Sequence, residues 1–133
     1  MEKNGKRIII NKTKVKGGRN LNCKYIQEDK LLLLQITEEI DHHFVEEIKR
    51  RADYEITRYM PRKVVFDFNK VTCMDSAGIG MLIGRYKICK MLGSTIEMIN
   101  VKPSIRKVFE MSGVLKIVPI SIGMEQERIK RKL

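Results

Sequence analysis

The run KVVFDF, Lys63 to Phe68, constrains this chain more than any other stretch. It is short, β-branched and apolar, the pattern of a central strand buried on both faces of a sheet. Such a strand needs partners on both edges and cover above and below, and the flanking sequence supplies them. Upstream, Asn22 to Gln27 and Leu31 to Thr37 flank the polar pair Glu28 and Asp29, which predicts an antiparallel hairpin. Asp41 then precedes Val45, Ile48, Ala52, Ile56 and Tyr59 at helical spacing. Asp41 is expected to cap that helix by accepting free backbone amides, and Pro61 to end it.

Downstream, Ile79, Leu82, Ile83, Tyr86, Cys89 and Leu92 give Ser76 to Leu92 an apolar helical face, with Gly93 as a left-handed stop. Thr95 to Val101 predicts a strand, and Pro103 opens a helix through Ile105, Val108, Phe109 and Met111 that Gly113 ends. Leu115 to Ile120 is expected to be a last strand, and the final twelve residues a short amphipathic helix through Ile122, Glu125 and Ile129. A hairpin followed by alternating helices and strands predicts an α/β fold: one domain with a mixed four- or five-stranded sheet flanked by helices. Its boundaries are placed at 21–120, between a basic, flexible extension at 1–20, within which RIII at Arg7 to Ile10 could form an edge strand, and a C-terminal helix or basic tail at 121–133.

The 133 residues suit a single core. No apolar stretch approaches the roughly 20 residues that span a membrane, and the first residues lack the apolar core of a secretory signal, so no membrane association is expected and the cytoplasm is the expected location. Three cysteines, Cys23, Cys73 and Cys89, are too few and too scattered for a disulfide framework or a four-ligand zinc site; they are expected to be reduced and buried. The net charge of +11 is uneven, since residues 1–20 contribute +6 and residues 121–133 +2. Basic ends on a nearly neutral body suggest solvated tails, with a nucleic-acid-binding module as the weaker alternative.

The segment TCMDSAGIGML, Thr72 to Leu82, holds the candidate chemistry. A nucleophilic serine needs a G-x-S-x-G turn with a histidine and carboxylate to activate it, and here the motif is M-D-S-A-G. His42 and His43 are the only histidines. Adjacent on a helix they point about 100° apart, so Asp41, His42 and His43 lack the spacing that grips a metal. Gly78, Gly80 and Gly84 miss the dinucleotide fingerprint by one residue, and no cofactor is expected. Ser76, Gly80 and Gly84 lie four residues apart and stack into a flat strip on one helix face, against which either the chain itself or a partner protein packs. Ser76 is expected to cap the helix. A hydroxyl there is also a place where phosphate changes the local charge by about −1.5 to −2, beside the carboxylate of Asp75.

The segments KVVFDFNKVTCMDSAGIGMLIGRYKICKMLG, PSIRKVFEMSGVLKIV and ITEEIDHHFVEEIKRR together resemble the STAS-domain anti-sigma factor antagonists, their sporulation branch above all, over about residues 21–120. The resemblance implies a non-enzymatic regulator. Such a protein binds an anti-sigma factor that is also a serine kinase, which frees the sigma factor, and it is released when the motif serine, here Ser76, is phosphorylated. A PP2C-type phosphatase restores the binding form. By motif, Asp75 and Ser76 form the modification site; Ala77, Gly78, Gly80, Gly84 and an exposed edge at Arg85 border the partner surface, and Asp41 and His42 match the family's D-H-H segment near it. Ala77 stands where close relatives often carry a second serine, and Glu38 where a glycine is common, which bears on the local turn and the choice of partner. A scaffold subunit of a stress-signalling complex is the other role the family offers.

Overall fold

The apolar run at Lys63 lies inside a mixed sheet in a computed structural model that describes the backbone at residues 2–3, 6–14, 20–37 and 39–132, and side chains over 21–37 and 39–132. Among the described residues the strands are β1 (Glu2–Lys3), β2 (Lys6–Lys14), β3 (Asn20–Ile26), β4 (Leu31–Ile36), β5 (Lys63–Asp67) and β6 (Thr95–Ile99), side by side in sequence order. The predicted hairpin is β3 and β4, antiparallel with Cys23 opposite Leu34. β5 joins β4 in parallel, Val65 opposite Leu33, and β6 joins β5, Val65 opposite Glu97. Parallel neighbours require crossovers, and α1 (Val45–Tyr59) and α2 (Ser76–Leu92) provide them. β3 to β6 thus form the mixed four-stranded body. Arg7 to Ile10 takes the edge-strand alternative within a longer β2, whose Asn11 lies opposite Cys23, so the sheet continues past the boundary drawn at residue 21. The rest of the extension expected to be flexible, at 1, 4–5 and 15–19, lies outside the described residues, as does the turn at Glu38.

Strand alternation divides the apolar residues between two faces. Leu21, Leu32, Leu34, Val64, Phe66 and Met98 pack with Ile48, Ala52 and Ile56 of α1 and Met81, Leu82 and Cys89 of α2. Phe109, on α3 (Pro103–Ser112), meets Phe68 edge to face at 5.5 Å and closes that core. On the other face Ile26, Leu31, Leu33, Val65 and Ile99 gather around Ile129 of α4 (Gly123–Lys130), the predicted C-terminal helix.

The last predicted strand is corrected. Val114–Lys116 is a 3-10 turn, and from this segment only Ile120 pairs with the sheet, against Met98. Gly113, at φ +80°, starts the chain on a tight course, and Val114 and Val118 are both buried one helical turn apart, joined by a 2.9 Å bond from Val118 N to Val114 O. Val114 and Val118, four apart, would share a face of a strand as well, so the Gly113 turn and this backbone bond, not the burial pattern, set the helical course.

The loop after β5 is fastened by Asp67, 3% exposed at the strand's end. Its carboxylate accepts from Gln35 Nε2 at 3.1 Å, Asn100 Nδ2 at 3.0 Å and the Asn69 amide at 2.9 Å, which satisfies a buried charge and sets the direction of the chain toward Ser76.

Candidate functional site

Two loops meet at the start of α2. Ile40 and Met74 form a parallel bridge, Ile40 N donating to Cys73 O and Asp75 N to Ile40 O, each at 3.3 Å. The Thr72 hydroxyl donates to the Glu39 carboxylate across the same seam. The loop that carries Asp41 and His42 is thereby set against the segment that carries Asp75 and Ser76.

The cap itself differs from expectation. Asp75, not Ser76, is the N-cap: it has extended backbone (φ −101°, ψ −175°) and its Oδ1 accepts from Ala77 N at 2.9 Å, while Gly78 N donates to Asp75 O at 3.1 Å. Asp and Ser are equally good caps by type, so the adjacent pair is decided by which residue the loop leaves extended. Ser76 becomes the first helical residue, exposed, with no hydrogen-bond partner for its hydroxyl among the described residues. Asp41 likewise caps a turn earlier than predicted, its Oδ1 accepting from His43 N at 3.0 Å while α1 proper begins at Val45. His42, exposed, places Nδ1 3.7 Å from Asp75 Oδ2 and lies against His43, ring centroids 4.0 Å apart and planes tilted by 37°.

The glycines separate into two kinds. A Cβ on Gly78 would come within 2.4 Å of Met74 Cγ and Sδ, so this buried glycine admits the close approach of the Met74 loop to α2 and borders no open surface. Around Gly80 and Gly84 a Cβ would meet nothing within 4 Å. The strip that begins at Ser76 is therefore not a contact surface for any described part of the chain at these two glycines.

Arg85 is corrected. It is 6% exposed and lies between α1 and α2, its Nε 2.7 Å from Asp53 Oδ1. The guanidinium N–H is not aligned on the carboxylate, so the contact is Coulombic rather than hydrogen-bonded. Burial raises the Asp53 pKa, and Arg85 pulls it part of the way back. The signal was present in the sequence: Arg85 is four residues from both Met81 and Cys89, on the buried face. Of the cysteines, Cys23 and Cys89 are buried as expected, burial pushing their thiols up to about 12 and about 11. Cys73, at the seam beside Asp75, is exposed instead. Among the described residues no cluster of side chains suits a metal ion.

Residues 22–126 match the STAS domain model. The chain belongs to the STAS-domain family. The anti-sigma F factor antagonist of Paenibacillus polymyxa is 30% identical over 101 residues, covering 76% of this chain and 86% of that protein. In fold the chain resembles the anti-sigma factor antagonist SpoIIAA in its unphosphorylated form, with a TM-score of 0.64 at 22% identity over 94% of this chain and 98% of that one. It also resembles SpoIIAA, described as a Bacillus cell fate determinant, in the phosphorylated form, with a TM-score of 0.60 at 23% identity over 94% of this chain and 100% of that one. The STAS match overlaps the predicted domain and runs on into α4.

Proposed function

We propose that this STAS protein is an anti-sigma factor antagonist: with Ser76 bare it binds an anti-sigma factor that is also a serine kinase, and phosphorylation of Ser76 by that partner ends the complex. The reading is supported above all by one observation, an exposed and unbonded serine hydroxyl at the head of a glycine strip that no described part of the chain covers. Small residues let another backbone come close to α2, and the same approach delivers the hydroxyl to the partner's active site. A phosphate would bring a charge of about −1.5 to −2 next to the Asp75 carboxylate. The amides of Ala77 and Gly78 are already bonded to Asp75, so the phosphate stays directed outward. Its effect falls on the docking partner through charge and bulk, not on the fold. A PP2C-type phosphatase resets the switch; the protein works in the cytoplasm and catalyses nothing itself. Among the described residues no helix is long and apolar enough to cross a membrane.

Incubating the purified protein with its kinase and ATP, then locating phosphate by mass spectrometry, tests this. Phosphate on Ser76 together with loss of the complex is the expected result. Phosphate elsewhere, or a complex indifferent to it, would overturn the proposal.

A further inference from the structure

The outer edge of β6 is only partly covered. In a parallel ladder successive residues bond alternately to the strands on either side. Thr95 N donates to Arg62 O at 3.0 Å and Ile99 O accepts from Phe68 N at 3.1 Å, so residues 95, 97 and 99 bond toward β5. Met98 bonds outward, its N donating to Pro119 O at 2.9 Å and its O accepting from Ser121 N at 2.8 Å. Ile96 shares the parity of Met98, so its N–H and C=O also point outward, and neither has a partner among the described residues. The segment that could have covered them is the predicted last strand, which turns away at Val114–Lys116. What it leaves is a cavity of about 540 Å³ whose wall holds Ile96, itself 5% exposed, with Ile117, Pro119 and Tyr86.

We propose that this edge accepts an extended acidic peptide segment of a partner protein, added as a further strand alongside Ile96. An unpaired donor and acceptor on one edge residue match the main chain of an extended peptide, and the apolar wall suits its alternate side chains. Charge sets the choice of peptide. Lys63 at the rim is neutralised by Glu97 at 3.3 Å and Glu125 at 3.1 Å. Lys90, at the same rim with its Nζ 6.0 Å from the Tyr86 ring centroid, has no carboxylate partner among the described residues. A carboxylate on the incoming strand supplies one. The α2 residues that line the cavity, Tyr86 and Lys90, lie about 15–21 Å along the helix from Ser76, so the site stays free when Ser76 is engaged.

The test uses the full chain and end-blocked hexapeptides that alternate valine with glutamate, the same with lysine, and a glutamate version N-methylated at alternate amides. Amide hydrogen exchange is read at Ile96, with Met98 as an internal standard already bonded. The glutamate peptide should slow exchange at Ile96 by about tenfold or more while Met98 holds steady. Lys90→Glu should weaken that peptide by about threefold or more. Equal protection by the lysine peptide would overturn the acidic assignment. Equal protection by the N-methylated peptide would overturn strand addition, and no protection at millimolar peptide would overturn both. Since no kinase enters the experiment, its outcome is separate from that of Ser76 phosphorylation.

Discussion

Gly78 and Gly80 stand two residues apart in α2 and respond oppositely to the same methyl group. At Gly78 the added Cβ meets Met74 at 2.4 Å, and a buried thioether must move. Overpacking of that kind costs about 1–3 kcal/mol, partly offset by the better helix propensity of alanine, so Gly78→Ala should lose about 1 kcal/mol in urea denaturation. Gly80→Ala meets nothing and should gain up to about 1 kcal/mol, yet weaken the kinase complex about tenfold or more by holding its partner off the strip. A Gly80→Ala protein that is both more stable and equally tight in the complex would remove the strip from the interface. The cysteines allow a check at the same scale. Burial suppresses the thiolates of Cys23 and Cys89, whereas Cys73 is open. Iodoacetamide should therefore modify Cys73 alone in the native protein and all three cysteines in denaturant, as counted by intact mass.

At the scale of elements, α1 and α2 are held together partly by the Arg85 and Asp53 contact. Replacing Arg85 with Met leaves Asp53 desolvated with Lys49 alone to offset its charge. Asp53 is partly exposed, so the loss should be about 2 kcal/mol near pH 7, below the full cost of orphaning a deeply buried charge. The sign with pH follows from the raised pKa of Asp53 in the folded state, which the substitution raises further. Its contribution is most favourable below the unfolded pKa, where the carboxyl is protonated in both states, and declines as pH rises through the folded value. Arg85→Met should thus lose less stability around pH 4 than at neutral pH, as denaturation at both pH values would show. A cost independent of pH would assign Arg85 a packing role alone. These elements also show what the sequence reveals. Every helix and the strands β3 to β6 follow from periodicity and from the glycines and prolines that end them. The misreadings arise where two local patterns compete: VLKIV serves a strand or a turn, Asp75 or Ser76 serves as cap, and only the surrounding chain decides. The motif puts Arg85 on an exposed edge, against a helical position that assigns it to the buried face. The seam of Glu39 with Thr72 and of Ile40 with Met74 joins segments more than thirty residues apart, and no local signal marks it.

For the molecule as a whole, the strand added by the basic N-terminal segment changes what the sheet exposes. β2 pairs with β3 at seven register positions, from Ile8 opposite Ile26 to Lys14 opposite Asn20. Without it, the edge of β3 would offer unpaired amides and carbonyls to any neighbouring chain, and a second copy carries the same edge. Residues 1–14 also carry five Lys/Arg against one Glu, +4 of the net +11, so their removal lowers the mutual repulsion that keeps copies apart. Both effects act in one direction. Deleting residues 1–14 should lower the urea midpoint and shift the protein on gel filtration toward larger species as concentration rises, while the Ser76 end of α2, built from β5 and the loop at Ile40, keeps its geometry. Phosphorylation of Ser76 should therefore survive the deletion even as self-association grows. A truncated chain that elutes and unfolds like the full one would mean that β2 neither stabilises the sheet nor guards its edge; loss of kinase recognition together with unchanged stability would instead place the basic segment within the partner's footprint.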